Sequence, residues 1–570
     1  MHGKMGEHRK KLAPKIPYHS PHQLTLVGFE TPFEQHLKSD NRWVILAKLI
    51  PWDELSNVYL KHVGVSGMGQ KPINARIVIG ALIIKHMADL DDREVVLQVS
   101  ENVYMQYFLG YSSFNPDTPF DASLFVEIRK RLGADAVNVL NEKIIAIKRQ
   151  IESTSQKSGT LEDSNAIDTH ENSKIFDDSD HFSTLENSQT TSEVELNELP
   201  VDTCNQIEES LTTTKGKKAQ KESQPQDSSK KNKGKVIFDA TACPQDIAYP
   251  NDLNLLSQAR KKSEHLIDIL YKSELHSSKP RTYRDVARKE YLKIAMKKNK
   301  SKKELRRALK KQLNYLKRNI SSIDELLDAY DTIPLNPKDY KYMLVIRTLY
   351  DQQETMYQTK SHSIEHRIVS IHQPHVRPIV RGKAHAKVEF GPKIHISLID
   401  GLTFLDEISW EAYNEGAHMM DYVEKYYQRF GFYPLKVLAD KIYCTRENRN
   451  KLKEKGIKLI GKPLGRPSAV TVHISPGERN PVEGKFGQAK TAYGLGRIRA
   501  RLKETSESWI ASIILVLNLV KLAGAVPYYL YDKYISKITH FFKIKLASIL
   551  DLDILKNYRH PVRIFNSREA

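Results

Sequence analysis

Ten residues, Lys235-Val236-Ile237-Phe238-Asp239-Ala240-Thr241-Ala242-Cys243-Pro244, constrain the fold more than any other stretch of the chain. An apolar run closed by proline is too short for a helix and has the pattern of a buried strand. Its aspartate is expected at the end of that strand, on the C-terminal rim of an open α/β sheet, where such folds gather their ligands. Leu435-Lys436-Val437-Leu438-Ala439-Asp440 repeats the pattern, an apolar strand ending on an acid. One carboxylate has no chemistry of its own, so what matters is which groups the chain brings to these two.

The third candidate lies in Arg479-Asn480-Pro481-Val482-Glu483-Gly484-Lys485-Phe486-Gly487-Gln488-Ala489-Lys490. Steps of four and then seven residues put Arg479, Glu483 and Lys490 on roughly one helical face. Oxygen ligands from two strand ends and a helix suit a hard octahedral cation, Mg²⁺ or Mn²⁺. Two such ions ~3.5–4 Å apart clamp the attacking and leaving oxygens of a phosphodiester. The arginine beside them holds phosphate by a fork and the lysine as a point charge.

The Arg479…Glu483…Lys490 block, followed by Tyr493-Gly494-Leu495-Gly496 and Arg497, resembles the C-terminal signature of insertion-sequence transposases of the DDE type. That signature runs tyrosine, two residues, arginine, three residues, glutamate, six residues, lysine. The last three elements match, and Pro476 stands at the tyrosine position. The segments around Asp239 and Asp440 are similar to the family's first and second acid motifs, and the resemblance covers most of residues 70–150 and 235–525. It implies an α/β fold: a ribonuclease H-like core, with a mixed sheet flanked by helices, carrying a large helical insertion. It further implies an N-terminal all-helical DNA-binding domain. Asp239, Asp440 and Glu483 would be the catalytic, metal-binding residues, holding two Mg²⁺ (or Mn²⁺) ions. They would cleave double-stranded DNA at the transposon ends and transfer the freed strands to target DNA, acting as a homodimer. Arg479, Lys490 and Arg497 would sit on that DNA, with Lys441 just past the second acid. Two other readings use the same residues: a ribonuclease H-like nuclease without strand transfer, and a DNA-binding relic with no catalysis.

Composition agrees with a polyanionic partner. The formal net charge is +19 and the isoelectric point about 9.4, which points to nucleic acid. A membrane is the competing partner, but the most apolar stretch, Trp509 to Leu522, is interrupted by Ser512 and Asn518 and reads as a buried helix. Met1-His2-Gly3-Lys4 is not followed by the apolar core of a signal peptide. Cys204, Cys243 and Cys444 are isolated, which suits a reducing compartment and neither a disulfide framework nor a zinc site. The expected location is therefore the bacterial cytoplasm, with the nucleoid. Gly461-Lys462-Pro463-Leu464-Gly465-Arg466-Pro467 lacks the Gly-Lys-Ser/Thr ending of a phosphate loop and reads as a basic loop near DNA, and the two-metal scheme that the resemblance implies needs no nucleotide cofactor.

Along the chain, residues 1–70 show little periodicity beyond a short helix at Trp43–Ala47. Residues 71–150 read as three helices: an amphipathic one from Ile73 to Met87, a second from Asp91-Asp92 through Tyr104 to Gly110, and a third from Asp121 through Leu132. Such a trio is compatible with a helix-turn-helix reader, in which Arg129-Lys130-Arg131 contact phosphate, and equally with a plain helical bundle, in which they are a solvated face. Residues 151–234 are polar, first acidic and then basic, and read as a disordered tether. The catalytic segment, 235–525, carries a helical insertion at about 251–375, dense in lysine and arginine from Lys279 to Arg318. Leucines recur there at helical spacing and tyrosines are interleaved, so Arg306 and Arg307 are expected on the DNA backbone. His362, His366, His372 and His375 lack an acid or cysteine that would complete a metal set. Asp400-Gly401 should turn a β-hairpin, and a helix from Ala417 to Phe430 should lead into the strand before Asp440. The tail from 526 to 570 has no functional reading.

Overall fold

The N-terminal helices begin where short polar side chains cap them. In the computed structural model, which describes residues 13–14, 37–63, 65–66, 73–159, 232–380, 388–462 and 476–524, Asn41 opens α1 (Arg42–Leu49) by accepting from the Trp43 amide. Helix α2 (Trp52–Val63) follows Pro51, a helix that the weak periodicity of residues 1–70 did not announce. Asn74 caps α3 (Ala75–Met87), and Asp91 caps α4 (Asp92–Glu101). The expected single helix from Asp91 to Gly110 is two. Asn102, in extended backbone, accepts from the amides of Tyr104 and Met105 and so starts α5 (Val103–Leu109), which Gly110 ends at φ +92°. An Asn102→Ala variant is expected to lose about 1 kcal/mol of stability in urea unfolding, the usual worth of a cap.

Helix α3 also departs from expectation: it is buried on nearly every face, Lys85 and His86 included, where an amphipathic reader keeps one side in solvent. The last of these helices, α6 (Leu124–Gly159), runs past residue 150 and is kinked at Gly133. The described residues fall in two units: those up to Ser153 and from Asn232 onward belong to the first, and Thr154–Gly159 to the second. Within the first, the N-terminal helices do not stand apart as a separate reader. Trp43, Leu55, Ile79, Phe108 and Phe125 belong to the same hydrophobic core as Ile237, Leu438, Val482 and Ile513.

Beyond this helical group comes β1 (Lys235–Ala242), then four helices: α7 (Asp252–Leu270), α8 (Arg284–Ala295), α9 (Lys302–Leu327) and α10 (Pro337–Thr359). These helices have a core of their own, built from Leu256, Ile267, Leu313, Leu316, Ile346 and Leu349. The basic region is not continuous helix. It breaks before α9, where Ser301 and Glu304 form a reciprocal capping box. Two short antiparallel strands follow, β2 (Pro378–Val380) and β3 (Val388–Phe390).

The chain then forms the hairpin β4 (Lys393–Ile399) and β5 (Leu402–Ser409). Asp400 (φ +51°) and Gly401 (φ +72°) both adopt positive φ, as the tight turn of a right-twisted hairpin requires. Gly401 is further required by Lys521, whose ammonium donates to the Asp400 carbonyl and would lie 1.8 Å from an added Cβ. Then come α11 (Met419–Phe430), β6 (Lys436–Leu438), α12 (Arg446–Glu454), β7 (Lys458–Ile460), α13 (Asn480–Ala492) and α14 (Lys503–Gly524). The sheet order is β5-β4-β1-β6-β7. Strand β4 is antiparallel to both its neighbours, and β1, β6 and β7 are mutually parallel. The molecule is thus helix-rich, with a mixed sheet flanked by helices.

Alternation along the strands sorts their side chains. Val236 and Phe238 pack with Tyr422, Val423 and Leu452 of α11 and α12, while Ile237 faces the core that contains α13 and α14. Helix α14 is long and apolar enough to cross a bilayer, yet 72% of its most apolar window is buried inside this fold. Cys204, the expected tether from residue 160, the basic loop from residue 463 and the tail from 525 lie outside the described residues.

Candidate active site

Asp239 is not at the end of its strand. β1 continues to Ala242, and Asp239 sits opposite Ile396 of β4. What ends near it is the pairing with β6, whose last matched pair is Ile237 with Leu438. Two residues beyond that pair come Asp239, still inside β1, and Asp440, just past the end of β6, in step with the face on which Ile237 and Leu438 lie. Helix α13 packs on this face through Val482 and Phe486. The sequence placed both acids at a sheet rim; the rim is made by the short β6, while β1 stays paired with β4.

Each aspartate is oriented by a neighbouring amide. Asp239 accepts from the Ala240 N–H at 2.8 Å, and Asp440 from the Lys441 N–H at 2.7 Å. Arg479, immediately before α13, joins the two. Its guanidinium lies 3.5 Å from Asp239 Oδ2 and 3.3 Å from Asp440 Oδ1. Glu483 follows one turn later, exposed on the first turn of α13. Burial raises the pKa of Asp239, and the charges of Asp440 and Glu483 push it the same way, against the Ala240 amide and Arg479. Three carboxylates thus feel one another here, with one guanidinium as counter-charge.

Among the described residues, no group of three or more His, Cys, Asp or Glu side chains is gathered as it stands into a coordination sphere. The donor chemistry nevertheless fits a hard divalent cation. The set is all carboxylate, its acids repel, and a positive group already stands between two of them. The histidines take other roles: His372 is bonded to the Tyr342 hydroxyl, His366 to Glu411, and His375 packs edge-on against Trp410.

The other predicted contacts scatter. Lys441 is exposed beside Asp440, and Lys490 is half-buried in the last turn of α13. Arg497 is exposed and paired with Asp246 at 2.9 Å. Arg307 is exposed on α9, but Arg306 lies over the Tyr357 ring at 4.1 Å and donates to its carbonyl, tying α9 to α10. Arg129 is the clearest departure. It is only 3% exposed and forks onto Asp92, so it serves the interior and offers no surface to phosphate. Arg131 is half-buried against the Tyr59 hydroxyl.

One supporting residue escaped the sequence reading. Gly461 follows β7 so closely packed that an added Cβ would lie 2.4 Å from Cys444 Sγ and 2.8 Å from the Ala439 carbonyl. It therefore allows β7 to support the chain on both sides of Asp440. In the sequence it looked like an ordinary loop glycine, and no local signal marks the close approach.

Residues 437–520, which carry Asp440, Arg479, Glu483 and Lys490, match the family described as "Transposase DDE domain". Residues 31–131, which hold α1 to α5 and the start of α6, match "Transposase domain (DUF772)". An uncharacterized protein, ORF8 of the nfe locus of Rhizobium meliloti, is 39% identical over 101 residues, 17% of this chain and 46% of that protein. The match thus spans about half the length of that relative. No solved structure matches the chain.

Proposed function

We propose that this chain, which belongs to the DDE-type transposases of bacterial insertion sequences, cuts DNA at the ends of its element and joins the freed ends to target DNA. The observation that carries this reading is the meeting of Asp239, Asp440 and Arg479 on one sheet face, with Glu483 one helical turn away. An antiparallel β4 beside the parallel set β1, β6 and β7 supports a ribonuclease H-like reading of the core. Asp239, Asp440 and Glu483 would hold Mg²⁺ or Mn²⁺, two ions in the expected scheme. Bound there, such ions supply Lewis acidity at the phosphoryl oxygens and lower the pKa of attacking water.

The chain's own groups do the rest. The Ala240 and Lys441 amides hold one oxygen of each aspartate in place, so neither carboxylate has to find its orientation during the reaction. Lys441, exposed beside Asp440, supplies a positive charge for a flanking phosphate, and Lys490 a second on the Glu483 helix. Arg307 and its basic neighbours on α9 give affinity for the backbone without reading sequence. Arg129 is left out of this surface. The partners are double-stranded transposon ends and target DNA, bound by a homodimer in the bacterial cytoplasm.

The test is strand cleavage and joining on linear DNA carrying the flanking ends of the protein's own gene, with Mg²⁺, for wild type and Asp239→Ala. Specific nicks and joined products, both absent with the variant, are expected. Cleavage without joining would instead make the protein a nuclease. Binding without cleavage by the wild type would leave a DNA-binding relic and remove the role given to the acids.

A further inference from the structure

The arginine between the two aspartates is the least explained contact of the site. Arg479 is followed four residues on by Glu483, within reach for a helical pair. Its guanidinium turns instead to Asp239 and Asp440, which come from two different strands. The side chain is only a quarter exposed, and its Nε is buried without a hydrogen-bond partner. An arginine placed for strength forks onto one carboxylate with both bonds near 2.7–2.9 Å. Here the fork is divided between two carboxylates, at 3.5 and 3.3 Å. The contact neutralises two acids at once and binds neither tightly.

Resting on the metal assignment above, the geometry points to Arg479 as a built-in counter-cation that competes with the divalent metal for Asp239 and Asp440. On Asp239 it touches Oδ2, the oxygen not taken by the Ala240 amide, and on Asp440 it touches Oδ1, the oxygen the Lys441 amide also holds. A hard divalent cation binds carboxylate oxygen at about 2.0–2.1 Å with twice the charge, so it outbids a guanidinium held beyond 3 Å. The two positive groups cannot share the same oxygens without repelling each other. Arg479 therefore leaves the aspartates as the cation enters. Its fork is then released at the mouth of the site, where the available anion is a DNA phosphate. Cation entry and phosphate capture become linked, each favouring the other by the same factor. Without a cation the guanidinium keeps two repelling acids in place; with one it becomes a clamp on the substrate.

Mn²⁺ binding to the full-length, DNA-free protein tests this directly, read by the electron-paramagnetic resonance of free Mn²⁺. Arg479→Gln is expected to bind Mn²⁺ about tenfold more tightly than wild type, and Arg479→Lys to fall between them, because lysine keeps the charge but not the fork. Adding Asp440→Asn to Arg479→Gln should abolish the gain. Melting curves confirm that each variant is folded, and the lysine variant carries the test if the glutamine one is not. Unchanged or weaker Mn²⁺ binding without Arg479 overturns the inference, as does a gain that survives Asp440→Asn. No binding by any of the proteins overturns it together with the metal assignment. Competition that is intact in a wild type unable to cut DNA removes only the catalytic reading.

Discussion

Asp92→Ala is expected to destabilise the fold by about 3–5 kcal/mol, the cost of removing one partner from a buried ionic cluster. Asp92 holds two cations that have almost no access to water. Lys85, 1% exposed, reaches its Oδ1 at 2.8 Å, and Arg129 forks onto both oxygens at 2.9 and 2.7 Å. Burial lowers the Lys85 pKa, and Asp92 is the main opposing influence. The Trp509 ring of α14 lies under both cations, 4.5 Å from Lys85 and 5.4 Å from Arg129. His86 meets the same ring edge-on, its pKa held well below the usual value by burial and then by the two cations, so it supplies no compensation. Alanine would leave two buried positive charges next to each other without the carboxylate that joins them. Chemical denaturation of Asp92→Ala against wild type measures the loss. A change below about 1 kcal/mol, the worth of an exposed pair, would show that the cluster is solvated and that the junction between the N-terminal helices and α14 rests on apolar packing alone.

Glu483→Gln should show the opposite division, a large loss of activity with the fold unchanged. The side chain is exposed on the first turn of α13, and its charge adds to the repulsion felt at Asp239. Removing that charge relieves the apoprotein slightly, so its melting temperature should hold or rise. Under the proposed function the same charge is a metal ligand, and strand cleavage should fall by about a hundredfold to a thousandfold, the usual scale for losing one preorganised electrostatic contact. DNA binding measured at fixed salt should not change, because Glu483 is no phosphate contact. Cleavage within a few-fold of wild type would remove Glu483 from the site, and the third carboxylate would have to come from elsewhere.

The elements legible in the sequence were those whose signal is local. The Asp400-Gly401 turn was legible because a two-residue hairpin needs positive φ at both positions, which aspartate and glycine tolerate. The Trp509–Leu522 helix was legible as buried because its polar interruptions still left an apolar run on every face. The break at Asn102 was not. A side chain that caps one helix while its own N–H ends the previous one looks, in sequence, like a tolerated residue in a single longer helix. Arg129 was misread for a related reason. Three successive basic residues look like a solvated face, and only the packing of α4 and α14 around the first turns it inward.

By itself the sequence supplied three candidate acids, their order, and the spacing of arginine, glutamate and lysine around the third, since these depend on residue identity and helical period alone. It also determined that a long helical segment interrupts the chain after β1. Tertiary structure decided that Asp239 lies within its strand, because the extent of β1 is set by its partner β4 and the rim is set by the shortness of β6. It decided too that the N-terminal helices share one core with the sheet, and that Arg479 spans the two aspartates. Those outcomes depend on contacts between residues far apart in the chain, Arg479 and Asp239 by 240 positions, and no local sequence window contains both partners.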